Sequence, residues 1–188
     1  MTERLRTPAF APPPIRPATA RDDDPAGFFT AHYQRVWEER MQDLPFVNSA
    51  LSVEVHGFVR YRGDWLGVVI TPWFLNLFLV SGGGELWGDI PAGERRYLNL
   101  PCGTLQLIAD DDPDLGPYQY CPLIAPVSTL SDMGSARQIA IDALKAVFAP
   151  PPEPTPEPTP APAADEAAAT EKPPVSRRGF LRRLAGRS

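Results

Sequence analysis

The side chains best equipped for chemistry in this chain lie near its end. Ser176, Arg177, Arg178, Phe180, Leu181 and Arg182 spell Ser-Arg-Arg-x-Phe-Leu followed by a basic residue, the core of the twin-arginine export signal. Adjacent guanidiniums suit bidentate pairing with carboxylates, so this is a recognition element and not a catalytic one. An export signal belongs at an N-terminus and is followed by a long apolar stretch, whereas few residues follow Leu181 and arginines are among them. The motif therefore reads as an imitation of, or a competitor for, an address carried by another protein.

A partner for such arginines is available in the same chain. Asp110, Asp111, Asp112 and Asp114 cluster in what reads as one turn, able to meet twin arginines through carboxylate–guanidinium contacts. A solvated turn is the plainer reading, and the spacing of a calcium loop is missing. A second candidate is Thr71-Pro72-Trp73-Phe74, which with Asn76 interrupts an apolar stretch. Proline removes a ladder donor and marks a strand end, bulge or edge. Either Trp73 packs into the core at a structural bend, or Trp73, Phe74 and Asn76 open a groove for an apolar peptide.

Catalysis finds little support. His32 falls on a helix and His56 on a strand, with no evident nucleophile near either in sequence. Cys102 and Cys121 are the two cysteines, and no Cys-x-x-Cys pair exists. No zinc or iron–sulfur motif follows, and no metal or cofactor is expected. The cysteines read as small buried thiols, with a disulfide between them as the alternative.

These residues must be held by a globular segment between two arms. Proline accounts for 24 of 188 residues, with ten between Pro150 and Pro174 and six before Phe28, against about 5% in ordinary proteins. Residues 1–24 read as a disordered proline-rich arm, 25–149 as the globular domain, 150–175 as a proline-rich linker and 176–188 as the basic tail. The net charge is −5, of which the tail contributes +5, leaving −10 on residues 1–175. An acidic body argues against nucleic acid as a partner. With no apolar run of about 20 residues and no N-terminal leader, a cytoplasmic protein is expected.

Within the domain, Phe28, Phe29, Tyr33, Val36, Trp37, Met41 and Leu44 recur at three- and four-residue steps, predicting a helix that opens at Asp24-Pro25 and stops before Pro45. Strands are predicted from Leu51 to Tyr61, where His56 falls on the solvent side, and at Trp65–Ile70 and Phe74–Val80. The latter two are nearly continuous apolar runs, as in strands buried on both faces. Arg95–Leu100, Thr104–Ala109 and Tyr118–Ile124 follow. Ser131 or Asp132 caps a last helix, Met133–Phe148, with Ile139, Ala140, Leu144, Val147 and Phe148 on one side. Short gaps exclude parallel crossovers. The fold class is α+β, an antiparallel sheet of five or six strands flanked by an N-terminal and a C-terminal helix.

Ile70-Thr71-Pro72-Trp73-Phe74-Leu75-Asn76, with Trp65-Leu66-Gly67, LPCGT (Leu100 to Thr104) and CPLIAPVS (Cys121 to Ser128), resemble the HybE-type assembly chaperones of nickel–iron hydrogenases. The resemblance covers the globular part to Phe148, and an Arg-Arg-rich end also fits it. It implies a non-enzymatic maturation factor. Its implied client is the hydrogenase small-subunit precursor, held through its twin-arginine signal peptide until cofactor insertion and assembly are complete, with the large subunit as a further candidate partner.

Three readings of the tail stay open. It is a pseudo-signal occupying the protein's own peptide site, a basic segment resting weakly on anionic lipid with Phe180, Leu181 and Leu184 as its apolar side, or a solubilising end. The alternative function is a small-ligand or lipid-surface binding domain docked to the inner membrane by that tail.

Overall fold

The computed structural model describes residues 14–150. Helix α1 spans Ala26–Val36 and runs into a π-helical turn, Trp37–Met41. Six strands follow: β1 Glu54–Tyr61, β2 Asp64–Ile70, β3 Leu75–Val80, β4 Arg95–Leu100, β5 Gly103–Asp112 and β6 Gly116–Ile124. Helix α2, Met133–Phe148, closes the fold. All strand pairs are antiparallel, in the order β1-β2-β3-β6-β5-β4. The α+β class and both flanking helices are as the periodicities predict.

Burial explains why β2 and β3 carry unbroken apolar runs. Every residue of both strands is buried, because they lie inside the sheet and are covered on both faces. On one face Leu66, Val68, Ile70, Leu75, Leu77, Leu79, Leu107 and Leu123 meet α2. Each such side chain taken from water contributes about 1.5–3 kcal/mol. Helix α2 approaches closely because Ala136, Ala140, Ala143 and Val147 line its buried side, all fully enclosed. The predicted stripe is rotated: Ile139, Leu144 and Phe148 are only partly buried at the margins. Small residues, invisible to a search for large apolar ones, face the sheet. The predicted cap holds, since Ser135 donates its amide to the Asp132 carboxylate at 2.8 Å.

On the other face α1 packs with an aromatic cluster of Phe29, Tyr33, Phe58, Trp65 and Phe78. Gly67 makes this possible, because a Cβ there would come within 2.7 Å of the Phe58 ring. Phe28 leaves the predicted stripe, standing 41% exposed with the Arg21 guanidinium 4.3 Å over its ring. His56 is also not the free solvent-facing residue its phase predicts. Its Nε2 lies 2.7 Å from Glu54, which in turn accepts three contacts from Arg137 of α2. That guanidinium, first among the causes, holds the Glu54 carboxyl below its ordinary value.

Residues 14–24 are tied to this body by hydrogen bonds. Arg21 donates its amide to Ser81 at 2.9 Å and accepts the Trp65 indole N–H at 2.9 Å. Asp64 organises the loop after β3: it is fully buried, and its carboxylate accepts the amides of Gly82, Gly84, Leu86 and Trp87 at 2.8–3.0 Å. Cys102 and Cys121 are buried thiols in the core. Among the described residues no helix is long and apolar enough to cross a membrane.

Candidate functional site

The turn between β2 and β3 is built by Thr71. Its Oγ1 accepts the amides of Trp73 and Phe74 at 3.2 and 2.9 Å and donates to the Phe74 carbonyl at 3.1 Å. This ties the chain into a tight loop with Thr71 and Pro72 buried beneath it. The two readings of this motif divide by residue: Thr71 and Pro72 form the bend, while Trp73 and Phe74 are half-buried at its rim. The π-helical turn brings Trp37 onto Trp73, rings 6.2 Å apart and 13° from parallel.

Trp73, Phe74 and Asn76 share one concavity of about 420 Å³ with Tyr33 from α1, Phe78 from β3, Asp110 from β5, and Tyr118, Tyr120, Pro122 and Ile124 from β6. Antiparallel register puts the strand residues on one face: Asn76 opposite Pro122, Phe78 opposite Tyr120, and Asp110 opposite Tyr118. Tyr33 packs on Phe74 with centroids 5.1 Å apart, and Phe78 packs on Tyr118 at 5.2 Å. Asn76 is 7% exposed within this wall. The groove is thus open at the surface and lined by six aromatic side chains beside polar groups, a character that suits a segment carrying both apolar and polar side chains.

Its one carboxylate is Asp110. Tyr118 donates to Asp110 Oδ2 at 3.0 Å, and the Asp111 amide donates to Oδ1 at 2.9 Å. Among the described residues no lysine, arginine or histidine forms an ion pair with it. Burial pushes the Tyr33 phenol above its ordinary range and does the same to Tyr118, where Tyr33 and Asp110 add to the effect. Both hydroxyls therefore keep their protons at neutral pH. A carboxylate among aromatic faces suits a cation attached to an apolar chain, the rings adding cation–π attraction.

The four aspartates do not form one solvated turn. Asp110, Asp111 and Asp112 belong to β5, since pairing with β6 continues to Asp112 opposite Gly116. Asp111 pairs with Arg16 at 3.0 Å, and Asp114 with Arg35. Asp112 accepts the amides of Asp114 and Leu115, fixing the turn. Its other oxygen lies 3.5 Å from Nε2 of His32, which is 6% exposed. His32, Asp112 and Asp114 could together offer one nitrogen and two oxygens to a cation. Arg35 already supplies positive charge at Asp114. Only Asp110 of the four enters the groove.

Tyr118, Tyr120, Pro122 and Ile124 were legible only as a strand, and Tyr33 only as part of a core stripe. A signal for them exists. The face carrying Tyr118, Tyr120, Pro122 and Ile124 is wholly aromatic or apolar, and Cys121 and Leu123 lie on the other, so the strand needs a second packing surface. The tail residues Ser176, Arg177, Arg178, Phe180, Leu181 and Arg182 lie outside the described residues.

Comparison with known proteins supplies the biological setting. The family described as NiFe-hydrogenase assembly, chaperone, HybE matches residues 24–183. The chain is 30% identical over 175 residues to a hydrogenase expression/formation protein, HupJ, of Bradyrhizobium diazoefficiens, covering 92% of this chain and 93% of that protein. It is 34% identical over 128 residues to a probable rubredoxin HupJ of Rhodobacter capsulatus, spanning 68% of this chain but only 45% of that protein's length. The solution structure of HybE from Escherichia coli shares the fold, with a TM-score of 0.56 at 24% identity, covering 80% of this chain and 94% of that one.

Proposed function

The chain belongs to the HybE family of NiFe-hydrogenase assembly chaperones, and from that premise we propose that it holds the hydrogenase small-subunit precursor by the twin-arginine signal peptide. The observation that carries this reading is the groove: an aromatic wall containing one carboxylate, Asp110, that has no cationic partner among the described residues. A twin-arginine signal combines adjacent guanidiniums with apolar side chains. Asp110 would take a guanidinium, while Trp73, Phe74, Phe78, Tyr118 and Tyr120 would seat the apolar residues.

Such binding needs no bond-making, so the protein acts without catalysis, and its place is the cytoplasm, where an export precursor is assembled. A bound signal is hidden from the export machinery until release, and the large subunit would reach the complex through the precursor. A polar groove, or one whose carboxylate was neutralised by arginine, would not support this reading. The test is calorimetric titration of a synthetic signal peptide containing Ser-Arg-Arg-x-Phe-Leu into the full chain, beside a peptide with both arginines replaced by glutamine. Binding by the first, weakened at least tenfold in the second, supports the assignment. Equal affinity for both would overturn it.

A further inference from the structure

We infer that the chain's own tail, residues 176–188, is a tethered occupant of the aromatic groove, which a client signal must displace. The inference rests on the groove being the signal-peptide site. It adds a second, intramolecular ligand and hence a threshold for client capture.

Five observations converge on this occupant. Ser176-Arg177-Arg178-x-Phe180-Leu181 has the same recognition core as the proposed client, so a site that takes one has the chemistry to take the other. The family match runs to Arg183 and so takes in this core, crossing a linker of low complexity to reach it. Charge is complementary: the tail carries five arginines and no acid, the remaining residues carry −10, and Asp110 is the groove carboxylate with no ion pair among the described residues. Phe180 and Leu181 match an aromatic wall that offers apolar seats beside that carboxylate.

Reach is the fifth. Phe148 at the end of α2 packs against Tyr61, their centroids 5.2 Å apart, at the end of β1 that pairs with Asp64. The groove lies at the opposite end of β2 and β3, where Ile70 pairs with Leu75, and on the sheet face that α1 covers. The path is therefore one strand length, about 24 Å for seven residues at 3.4 Å each, plus passage round a sheet edge. Between Pro150 and Ser176 lie 25 residues. A flexible chain of that length spans about 27 Å root-mean-square, and proline-rich stretches at about 3.1 Å per residue extend it well beyond that. The linker thus matches the span, the condition under which effective concentration is greatest, in the millimolar range. For a tail whose free affinity is about 100 μM, a millimolar effective concentration leaves roughly one groove in ten open and weakens client binding about tenfold.

The test keeps the full chain and leaves the domain untouched. A variant carrying Arg177→Gln, Arg178→Gln, Phe180→Ser and Leu181→Ser is compared with the parent by titrating the same synthetic signal peptide into each. Roughly tenfold tighter binding to the variant is the expected result, together with binding of a synthetic 176–188 peptide to the variant in competition with the signal peptide. Equal affinity for variant and parent, with the signal peptide still bound, overturns the tethered-occupant inference while the signal-peptide site stands. Absence of signal-peptide binding to both chains overturns the site itself, and the inference with it. A tail peptide that binds the variant without competing places the tail elsewhere and also overturns the inference. Co-sedimentation of the parent chain with vesicles containing anionic phospholipid, lost in the variant without any change in peptide affinity, would assign the tail to the membrane surface instead.

Discussion

Tyr118 donates its hydroxyl to Asp110 across the β5–β6 pair at 3.0 Å, fixing the one carboxylate of the groove to a ring that is itself locked against Phe78. The two residues are register partners, so strand pairing and the side-chain hydrogen bond enforce the same geometry. Preorganisation of this kind means that a ligand cation meets a carboxylate already in place, with little side-chain freedom left to lose.

Asp110→Asn tests the charge and keeps the shape. Asparagine can still accept from Tyr118, so the fold should be retained, while a guanidinium loses its charge-assisted partner. A hydrogen bond to a charged group contributes about 1.5–3 kcal/mol. Measured in the tail variant (Arg177→Gln, Arg178→Gln, Phe180→Ser, Leu181→Ser), where no tethered competitor is weakened in parallel, affinity for a twin-arginine peptide should therefore fall at least tenfold by calorimetry, and the loss should shrink at high salt. Unchanged affinity would place the arginines elsewhere.

Trp73→Ala separates groove from core. Trp73 is half-buried between Trp37, Tyr33 and Phe74, so truncation should cost about 2 kcal/mol of stability, less than a fully buried aromatic. The control is Phe29→Leu, which destabilises the same aromatic cluster from a fully buried position that does not line the groove. Peptide binding should be lost in Trp73→Ala and retained in Phe29→Leu when both are measured well below their unfolding transitions. Parallel losses in both would mean that peptide binding follows stability alone.

What sequence could reveal followed from period and punctuation. Strand β4 and helix α2 begin and end at the predicted residues because turn and capping signals bound them, Asp132 above all. The site was half legible. Trp73, Phe74, Asn76 and Asp110 stood out as apolar, polar or acidic residues against their surroundings. Tyr33, Tyr118 and Tyr120 did not, since an aromatic residue lining a groove has the same period as one in a core. Strand order brings β6 beside β3, and that adjacency, which no local pattern encodes, assembles the wall. Asp64 was missed for a related reason. In sequence it closes an Arg-Gly-Asp turn, whereas its four donors arrive from 18 to 23 residues further on.

Asp64→Ala should be among the most damaging single changes in the domain. Four backbone amides lose their acceptor, and the Gly82–Gly84 backbone lies too near Gly63 for other residues to substitute. A cost of about 3–5 kcal/mol is expected, the range for breaking a buried charged network. Asp64→Asn should lie between this variant and the parent, because its carbonyl still accepts while its amide group faces N–H donors. Urea denaturation checks the order, and a stable Asp64→Ala protein would show that the loop folds without its anchor.

Alkaline pH probes the groove from another side. Burial raises the Tyr33 phenol, opposed by its hydrogen bond with Tyr118 and reinforced by Asp112 and Asp110; Tyr118 is raised by burial and then by Tyr33 and Asp110. In the unfolded chain both phenols titrate near pH 10, as tyrosines ordinarily do (about 10). The folded state keeps its protons longer, so this contribution is complete below about pH 10. As pH rises above that, the unfolded state gains by ionising first, and stability falls by up to about 1.4 kcal/mol per pH unit for each tyrosine. Tyr118→Phe should therefore be less stable than the parent at pH 8, by about 1 kcal/mol for the lost hydrogen bond, yet show a shallower decline from pH 10 to 11. Urea melts at pH 8, 10 and 11 decide it: if Tyr118→Phe keeps the parent slope, the phenol of Tyr118 is not a group that holds its proton in the fold.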